Sequence, residues 1–348
     1  MNNNTVQKLI DVLPVHIAEW VLDEFSSEID NIQEIIIDFG REPQLRFVDN
    51  CYALMDGYQV VKSDIEDVTR NLSEPYSNNR IGIPGTLHRV SVIKDRAGKP
   101  MGYTMRVGKH IAECSKIIYD LLDNSNESIL LIGKPGVGKS SKLRDVCHYL
   151  SVKGYKVMIV DTSNEIAGDS EIPNEAVGQA RRMMVFHHKE QANVMIEAVE
   201  NHTPDVVVID EISNFAEAKA ARTIAQRGVR LIATVHGELL ENLIENPDVS
   251  GLIGGAKSAT LSDGESIKLG KPKMIIQREH KPVFTKVVEL HNFRNVSVHH
   301  NVEQAVDAFL FGDDLRPEKR TLDENGEMII TSPEIIGATK IRIPNQNP

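Results

Sequence analysis

Residues Ser128 to Ser141 constrain this chain more than any other stretch. The apolar run Ile129 to Ile132 reads as a short buried strand. It runs into Gly133-Lys134-Pro135-Gly136-Val137-Gly138-Lys139-Ser140, the spacing G-x-x-x-x-G-K-S, and from Ser141 to Leu150 apolar residues recur at helical spacing. Strand, glycine loop and helix are the context in which this motif cradles phosphate. The glycines let backbone N–H groups turn inward, and the helix behind adds its positive end. Lys139 is placed to reach β- and γ-phosphates, and the Ser140 hydroxyl to hold Mg²⁺. Gly133 through Ser141 are therefore the expected nucleotide-binding residues, with Ser140 also a metal ligand.

A chain of 348 residues has room for two domains or for one large α/β domain with appendages. Its net charge of −11 argues against a surface that grips nucleic acid throughout, and leaves room for a local basic groove. Cys51, Cys114 and Cys147 form no C-x-x-C pair and read as reduced thiols. No run approaches a membrane span, and Met-Asn-Asn-Asn-Thr is neither basic nor apolar enough for a secretory signal. The expectation is no membrane insertion and a cytoplasmic location, or the plastid stroma if the gene is organellar.

The periodicity changes near residue 124. Before it, helical spacing over residues 6–25 is broken by Pro14, and strands are expected at Glu34–Phe39, Gln44–Val48, Thr86–Asp95 and Met101–Val107. Tyr52–Val61 reads as a hairpin turning at Asp56-Gly57, and Ser63-Asp-Ile-Glu66 as a capping box opening a helix to about Leu72. After it, strand candidates at Lys156–Val160, Asp205–Ile209 and Arg230–Thr234 alternate with helical stretches, which implies a parallel sheet covered by helices. This divides the chain into an α+β N-terminal domain (1–123), a P-loop core (124–270), strands and a helix completing that core (271–313) and a loosely packed polar tail (314–348).

In open α/β sheets ligands sit beyond the carboxyl ends of the strands, and here those ends carry polar chemistry. Asp205-Val-Val-Val-Ile-Asp210-Glu211 is a Walker B pattern: Asp210 would hold the Mg²⁺ shell and Glu211 orient or deprotonate the attacking water. The preceding strand runs into Asp161-Thr-Ser-Asn-Glu165, where Glu165 is a rival for the base and Asp161 fits a turn cap equally well. The next strand ends in Thr234-Val-His236-Gly237, so Thr234 or His236 is placed to sense a γ-phosphate. His187-His188 read as a solvated loop, with no third ligand at metal spacing.

Residues 80–110 hold seven cations (Arg80, Arg89, Lys94, Arg96, Lys99, Arg106, Lys109) against the single carboxylate Asp95. They read as a solvated basic hairpin, as an arginine offered to a neighbouring subunit's phosphates, or as a groove for nucleic-acid phosphates. With Tyr76 and Tyr103 as the aromatics nearby, base stacking has little to work with. Arg181 and Arg182 are further phosphate or interface candidates, and Arg222 and Arg227 read as the same or as plain solvated helix charges.

Taken together, Ile159-Val-Asp-Thr-Ser-Asn-Glu-Ile-Ala-Gly168, Arg181-Arg-Met, Val194–His202, Val208-Ile-Asp-Glu-Ile212, Ala221–Gly228, Ala233-Thr-Val-His-Gly237, Asn79–Arg89 and Tyr103–Gly108 resemble a plastid and cyanobacterial P-loop ATPase family related to stage III sporulation protein AA. The likeness runs from about residue 30 to 312. More distantly the arrangement is similar to the type II/IV secretion ATPases, whose acidic box would match Asp161 to Glu165 and whose histidine box would match Thr234 to Gly237. The resemblance implies an α/β fold with a RecA-like, additional-strand core behind a small α+β domain and with a strand-rich C-terminal extension. It also implies ATP as the nucleotide, a ring-shaped homo-oligomer of six, and N-domain arginines, Arg89 or Arg106, reaching the nucleotide. The chain departs from it in two ways. The C-terminal single-stranded nucleic-acid-binding module of longer members, marked by Arg-x-x-x-His, has no counterpart here, which counts against nucleic-acid binding. Lys134 stands where many relatives have a small or apolar residue.

The expectation is an Mg²⁺-dependent, self-assembling ATPase that couples hydrolysis to movement or assembly of a partner. Two other classes stand beside it: an ATPase acting on single-stranded DNA or RNA through residues 80–110, and a nucleotide-dependent switch or scaffold without turnover. No guanine-reading Asn-Lys-x-Asp occurs, which accords with ATP.

Overall fold

The computed structural model describes residues 3–75, 79–123, 126–260 and 274–331. The chain forms two units. One takes residues up to Ile111 together with Ala167–Val177; the other takes Ala112–Ile166 and the chain from Gly178 onward. The division expected near residue 124 thus falls at Ile111, and eleven residues expected in the P-loop core belong to the first unit. Residue 124, the junction at 270, Tyr76 and the tail beyond Thr331 lie outside the described residues.

In the first unit, Pro14 separates helix α1 (Asn3–Ile10) from α2 (Val15–Phe25), as its missing N–H requires. Strands β1 (Ile32–Asp38), β2 (Gln44–Phe47), β3 (Tyr52–Leu54), β4 (Arg80–Gly82), β5 (Arg89–Lys94) and β6 (Pro100–Arg106) form an antiparallel sheet in the order β3-β2-β1-β6-β5-β4. Alternation sets its inner face: Ile35 and Ile37 of β1, Val90 of β5 and Met105 of β6 are buried in one apolar cluster with Leu9, Ile17 and Val21. The expected hairpin over Tyr52–Val61 does not form. Gly57 turns at φ +78°, but the returning chain finds other acceptors: Gly57 N–H donates to Glu42 Oε1 and Val60 N–H to Arg41 O, so β3 pairs with β2 alone. Helix α3 (Lys62–Asn71) is capped from within, Asp64 Oδ2 accepting from Val61 N–H at 2.9 Å, in place of a box on Ser63 and Glu66.

In the second unit, β7 (Ile129–Gly133), β8 (Val157–Asp161), β10 (Val206–Ile209) and β11 (Arg230–His236) are buried along their length except at His236. Continuous apolar runs suit strands covered on both faces. With β9 (Arg181–Met184), β14 (Lys286–Leu290), β15 (Asn295–His299), β16 (Glu318–Leu322) and β17 (Met328–Thr331), they build a nine-stranded sheet in the order β17-β16-β15-β14-β7-β11-β10-β8-β9. From β14 to β9 the pairs are parallel, and β11 lies between the P-loop strand and the Walker B strand. Helices α4 (Tyr119–Asp123), α5 (Lys139–Val152), α6 (Gln191–His202), α7 (Phe215–Gln226), α8 (Leu240–Glu245) and α9 (Val302–Leu310) complete the unit, with a separate ribbon of β12 (Ala256–Thr260) and β13 (Met274–Arg278). At about 1.5–3 kcal/mol for each fully buried Val, Ile or Leu, the strands carry the stability and free the loops at their ends for chemistry.

The segment expected to be a loose tail from residue 314 adds two strands to this sheet through residue 331. Its anchor is Arg320, whose side chain is 2% exposed and which donates to Asp120, Glu318 and Ile117 O. Among the described residues no helix is long and apolar enough to cross a membrane.

Candidate functional site

The carboxyl ends of β7, β8, β10 and β11 face the same way because the strands are parallel, with Val160 beside Ile209, Ile209 beside Ala233, and Gly133 beside His236. That register lines up the P-loop, the acidic loop, the Walker B pair and the Thr-Val-His-Gly turn. Gly133 must lack a side chain, since a Cβ would lie 2.8 Å from Val137 Cγ2 and 2.9 Å from Leu290 O. Gly138 opens α5 at φ +97°, a conformation that favours glycine. Lys134 and Pro135 are exposed, and the Lys134 ammonium pairs with Glu238 at 2.8 Å.

Two chains of contact run through the site. Lys139 Nζ donates to Gly133 O at 2.7 Å and Lys134 O at 3.1 Å, and lies 3.3 Å from His236 Nδ1. His236 Nε2 is 3.0 Å from Glu211 Oε2, so lysine, histidine and glutamate form a line from the P-loop to the Walker B strand. In the second chain the Ser140 hydroxyl donates to Glu165 Oε2 at 3.0 Å. Asp210 sits buried behind these groups. Burial first, and then the charges of Asp161, Glu165 and Glu211, push its carboxyl up to about 8. Burial holds Lys139 below the ordinary lysine range, against the opposing pull of Glu211, Asp210 and Glu165.

Some residues singled out from sequence are committed elsewhere. The Thr234 hydroxyl is buried and donates to Asp210 O, while Thr234 O accepts from Ile212 N–H at 2.9 Å; its side chain braces the Walker B turn and is not presented to a phosphate. Asp161 is fully buried and accepts from Ile166 N–H, as a turn cap does. Arg89 pairs with Asp169 at 2.6 Å and Arg106 with Glu34 at 2.8 Å, both within the first unit. Lys109 donates to Asp30 O. Two of the seven cations in this basic stretch, Arg89 and Arg106, are thus paired with carboxylates of their own unit. Arg222 reaches Gly251 O, and Arg227 pairs with Glu200.

The donor set suits Mg²⁺ with a nucleotide triphosphate. A glycine loop ends in a lysine whose ammonium rests on loop carbonyls, and a hydroxyl contacts Glu165, whose charge acts together with those of Asp161 and Glu211 on the buried Asp210. Among the described residues no three His, Cys, Asp or Glu side chains converge as a closed cage. Mg²⁺ does not need one, because phosphate oxygens and water supply most of its octahedron. Ser140 and Asp210 are the residues that would hold it.

Residues 4–261 match the family described as "Sporulation stage III, protein AA". The chain belongs to this family. The protein ycf45 of Porphyra purpurea is 43% identical over 326 residues, which is 93% of this chain and 57% of the relative. Protein SEEDLING PLASTID DEVELOPMENT 1 of Arabidopsis thaliana is 42% identical over 285 residues, 82% of this chain and 41% of the relative. The chain therefore spans about half the length of these two relatives. Among solved structures, the pilus retraction motor PilT with bound ADP superposes with a TM-score of 0.51 at 16% identity, covering 75% of this chain and 83% of that one. That likeness is one of fold, and it makes the second unit a RecA-like P-loop core.

In this member of the stage III sporulation protein AA family, two site-shaping residues escape sequence reading. Gln191, 2% exposed at the start of α6, accepts from the Thr162 hydroxyl and donates to Glu211 O, so one amide spans both carboxylate-bearing loops. Arg144, buried in α5, donates to Ile166 O at 2.7 Å and to Glu165 O. Neither lies in a motif. The signal for Arg144 was a charge within a helix that also buries Lys142, Leu143, Asp145, Val146 and Cys147, so that no polar face stands out.

Proposed function

We propose that the protein is an Mg²⁺-dependent ATPase that works as a ring of identical subunits and couples hydrolysis to movement or assembly of a partner macromolecule. The observation that carries the reading is the pair of contacts on the P-loop, Glu165 to Ser140 and Glu211 through His236 to Lys139, which puts two glutamates on the two residues that handle phosphate and metal. A scaffold that only bound nucleotide would need neither.

Bound Mg²⁺ would neutralise charge on the phosphates and organise the oxygens around them. The chain's own groups do the rest. Lys139 leaves the loop carbonyls for the β- and γ-phosphate oxygens, and the loop N–H groups hold the remainder. Glu165, accepting from a neutral hydroxyl beside the metal position, takes the proton of the attacking water. Glu211 shares an oxygen with His236 and so holds the imidazole toward the γ-phosphate end. Arg106, two-thirds exposed at the end of β6, exchanges Glu34 for the phosphates of an adjoining subunit.

Phosphate release by the Lys139→Ala variant tests the assignment: turnover is abolished and ATP binding weakened, and unchanged turnover would sink it. Mass determination with and without a non-hydrolysable ATP analogue tests the ring, and a monomer in both conditions would remove both the ring and Arg106 acting across it.

A further inference from the structure

The chain leaves the P-loop unit at the Ile166–Ala167 peptide, one residue past Glu165, and returns to it at Val177–Gly178. Each side of the first crossing is fixed. On the P-loop side Arg144 holds the carbonyls of Glu165 and Ile166, and Asp161 holds Ile166 N–H. On the other side, residues 167–177 fold into the first unit as a closed loop, with Asn174 N–H donating to Ala167 O at 2.8 Å.

That loop is seated backbone against backbone. A Cβ on Gly82 would stand 2.2 Å from Ser170 N, and one on Gly168, at φ +94°, would stand 2.5 Å from Thr86 O. Asn174 Nδ2 donates to Gly85 O at 3.0 Å. Arg89 Nε donates to Asp169 Oδ2 at 2.6 Å, with the aspartate side chain 3% exposed. A charge pair this buried is far stiffer than a surface pair, because breaking it leaves an aspartate out of water.

We propose that the Arg89–Asp169 pair is a tether through which the N-terminal unit sets the position of Glu165, so that Arg89 is a positioning residue for hydrolysis within its own subunit. This rests on reading the site as an ATPase. The chain between has little slack. Asp169 follows Glu165 by four residues, so their Cα atoms lie at most about 14 Å apart, and Ile166, Ala167 and Gly168 between them are buried. A displacement of the loop that Asp169 anchors reaches the Glu165 main chain unless these three residues leave their packing. A shift of about 1 Å in a catalytic group is enough to change turnover by two orders of magnitude.

The test compares Arg89→Ala, Asp169→Asn and the double variant in the full chain, following kcat, the Kd of a non-hydrolysable ATP analogue, and hydrogen exchange of residues 161–166. The tether predicts that either single change lowers kcat at least tenfold with Kd within twofold, that the double variant is no worse than the singles, and that exchange at 161–166 rises at least fivefold. An arginine that instead served a neighbour's phosphates would make Arg89→Ala harmful and leave Asp169→Asn near wild type, which overturns the proposal. So does unchanged exchange at 161–166. Should a change disturb the first unit's folding, Asn174→Ala, which removes the side-chain contacts to Gly85 O and Ala176 N–H and leaves the Arg89–Asp169 pair in place, shows the same pattern at smaller amplitude, and a normal exchange pattern there overturns the tether. If the wild-type protein itself releases no phosphate, the ATPase reading fails, and exchange alone decides the tether.

Discussion

The Ser140 hydroxyl donates to the Glu165 carboxylate at 3.0 Å, although β7 and β8, the strands leading to them, are separated in the sheet by β11 and β10. The contact is made between the first turn of α5 and the acidic loop, and Arg144 fixes that loop against the same helix. Glu165 therefore sits against the residue that would carry the metal, while Glu211 is bound to His236.

Those positions separate the two glutamates kinetically. Glu165→Gln removes the base, and kcat falls at least a hundredfold, within the range expected for general-base catalysis. Glu211→Gln keeps a hydrogen bond to His236 and loses only its charge, so kcat falls about tenfold. Steady-state phosphate release for the two variants checks this, and a larger loss for Glu211→Gln would exchange the roles.

Asp210 gives a dependence of stability on pH. Its native carboxyl is raised to about 8 from a usual value of 3.8, by burial and by Asp161, Glu165 and Glu211. Between those values the folded chain binds a proton that the unfolded chain has lost, so this group's contribution to stability falls as pH rises from about 4 to 8, by at most about 1.4 kcal/mol per pH unit. In EDTA, wild-type Tm should drop across pH 5–8 relative to Asp210→Asn, whose amide does not titrate. Parallel Tm curves for the two proteins would show that Asp210 is ionised in the native state.

The phosphate cradle and the Walker B pair were legible because each compresses its chemistry into contiguous residues whose flanking strand and helix declare themselves by apolar pattern. The links between loops were not. Gln191 touches Thr162 and Glu211 from helix α6, and no local pattern marks a side chain whose partners lie 29 and 20 residues away. The role of Arg89 was obscured for a related reason: its partner Asp169 is 80 residues distant, in a segment that alternation assigned to the other unit. β9 and β15 were missed as strands: Arg181-Arg182 opens the first, and the second is a five-residue segment with only Val296 and Val298 as apolar positions. The polar sequence after residue 314 looked loose because Arg320, its main anchor, is a charge that finds its counter-charges only in the fold.

Gln191→Leu keeps the volume of the buried amide and removes both of its hydrogen bonds. Two groups lose their partner, the Thr162 hydroxyl and Glu211 O. At about 1–3 kcal/mol for an unsatisfied buried polar group, stability drops by that order. Glu211 is displaced along with its carbonyl, so kcat falls ten- to a hundredfold while nucleotide affinity, set by the P-loop, changes less than threefold. Turnover and analogue binding measured on the same preparation check this. Loss of affinity in proportion to kcat would place Gln191 in nucleotide binding instead.

Arg320→Leu tests whether β16 is integral to the P-loop unit. The guanidinium is buried against Asp120, Glu318 and Ile117 O, yet Asp120 is 44% and Glu318 20% exposed at the side chain. Removing one partner of a fully buried pair costs about 3–5 kcal/mol because a charge is left out of water. Here water reaches both carboxylates after the change, and leucine refills part of the apolar volume. The expected loss is therefore smaller, about 2–3 kcal/mol, and appears as a lower denaturant midpoint with an unchanged slope. A slope that falls as well would mean that β16 and β17 detach before the rest of the unit unfolds, and that the core is stable without them.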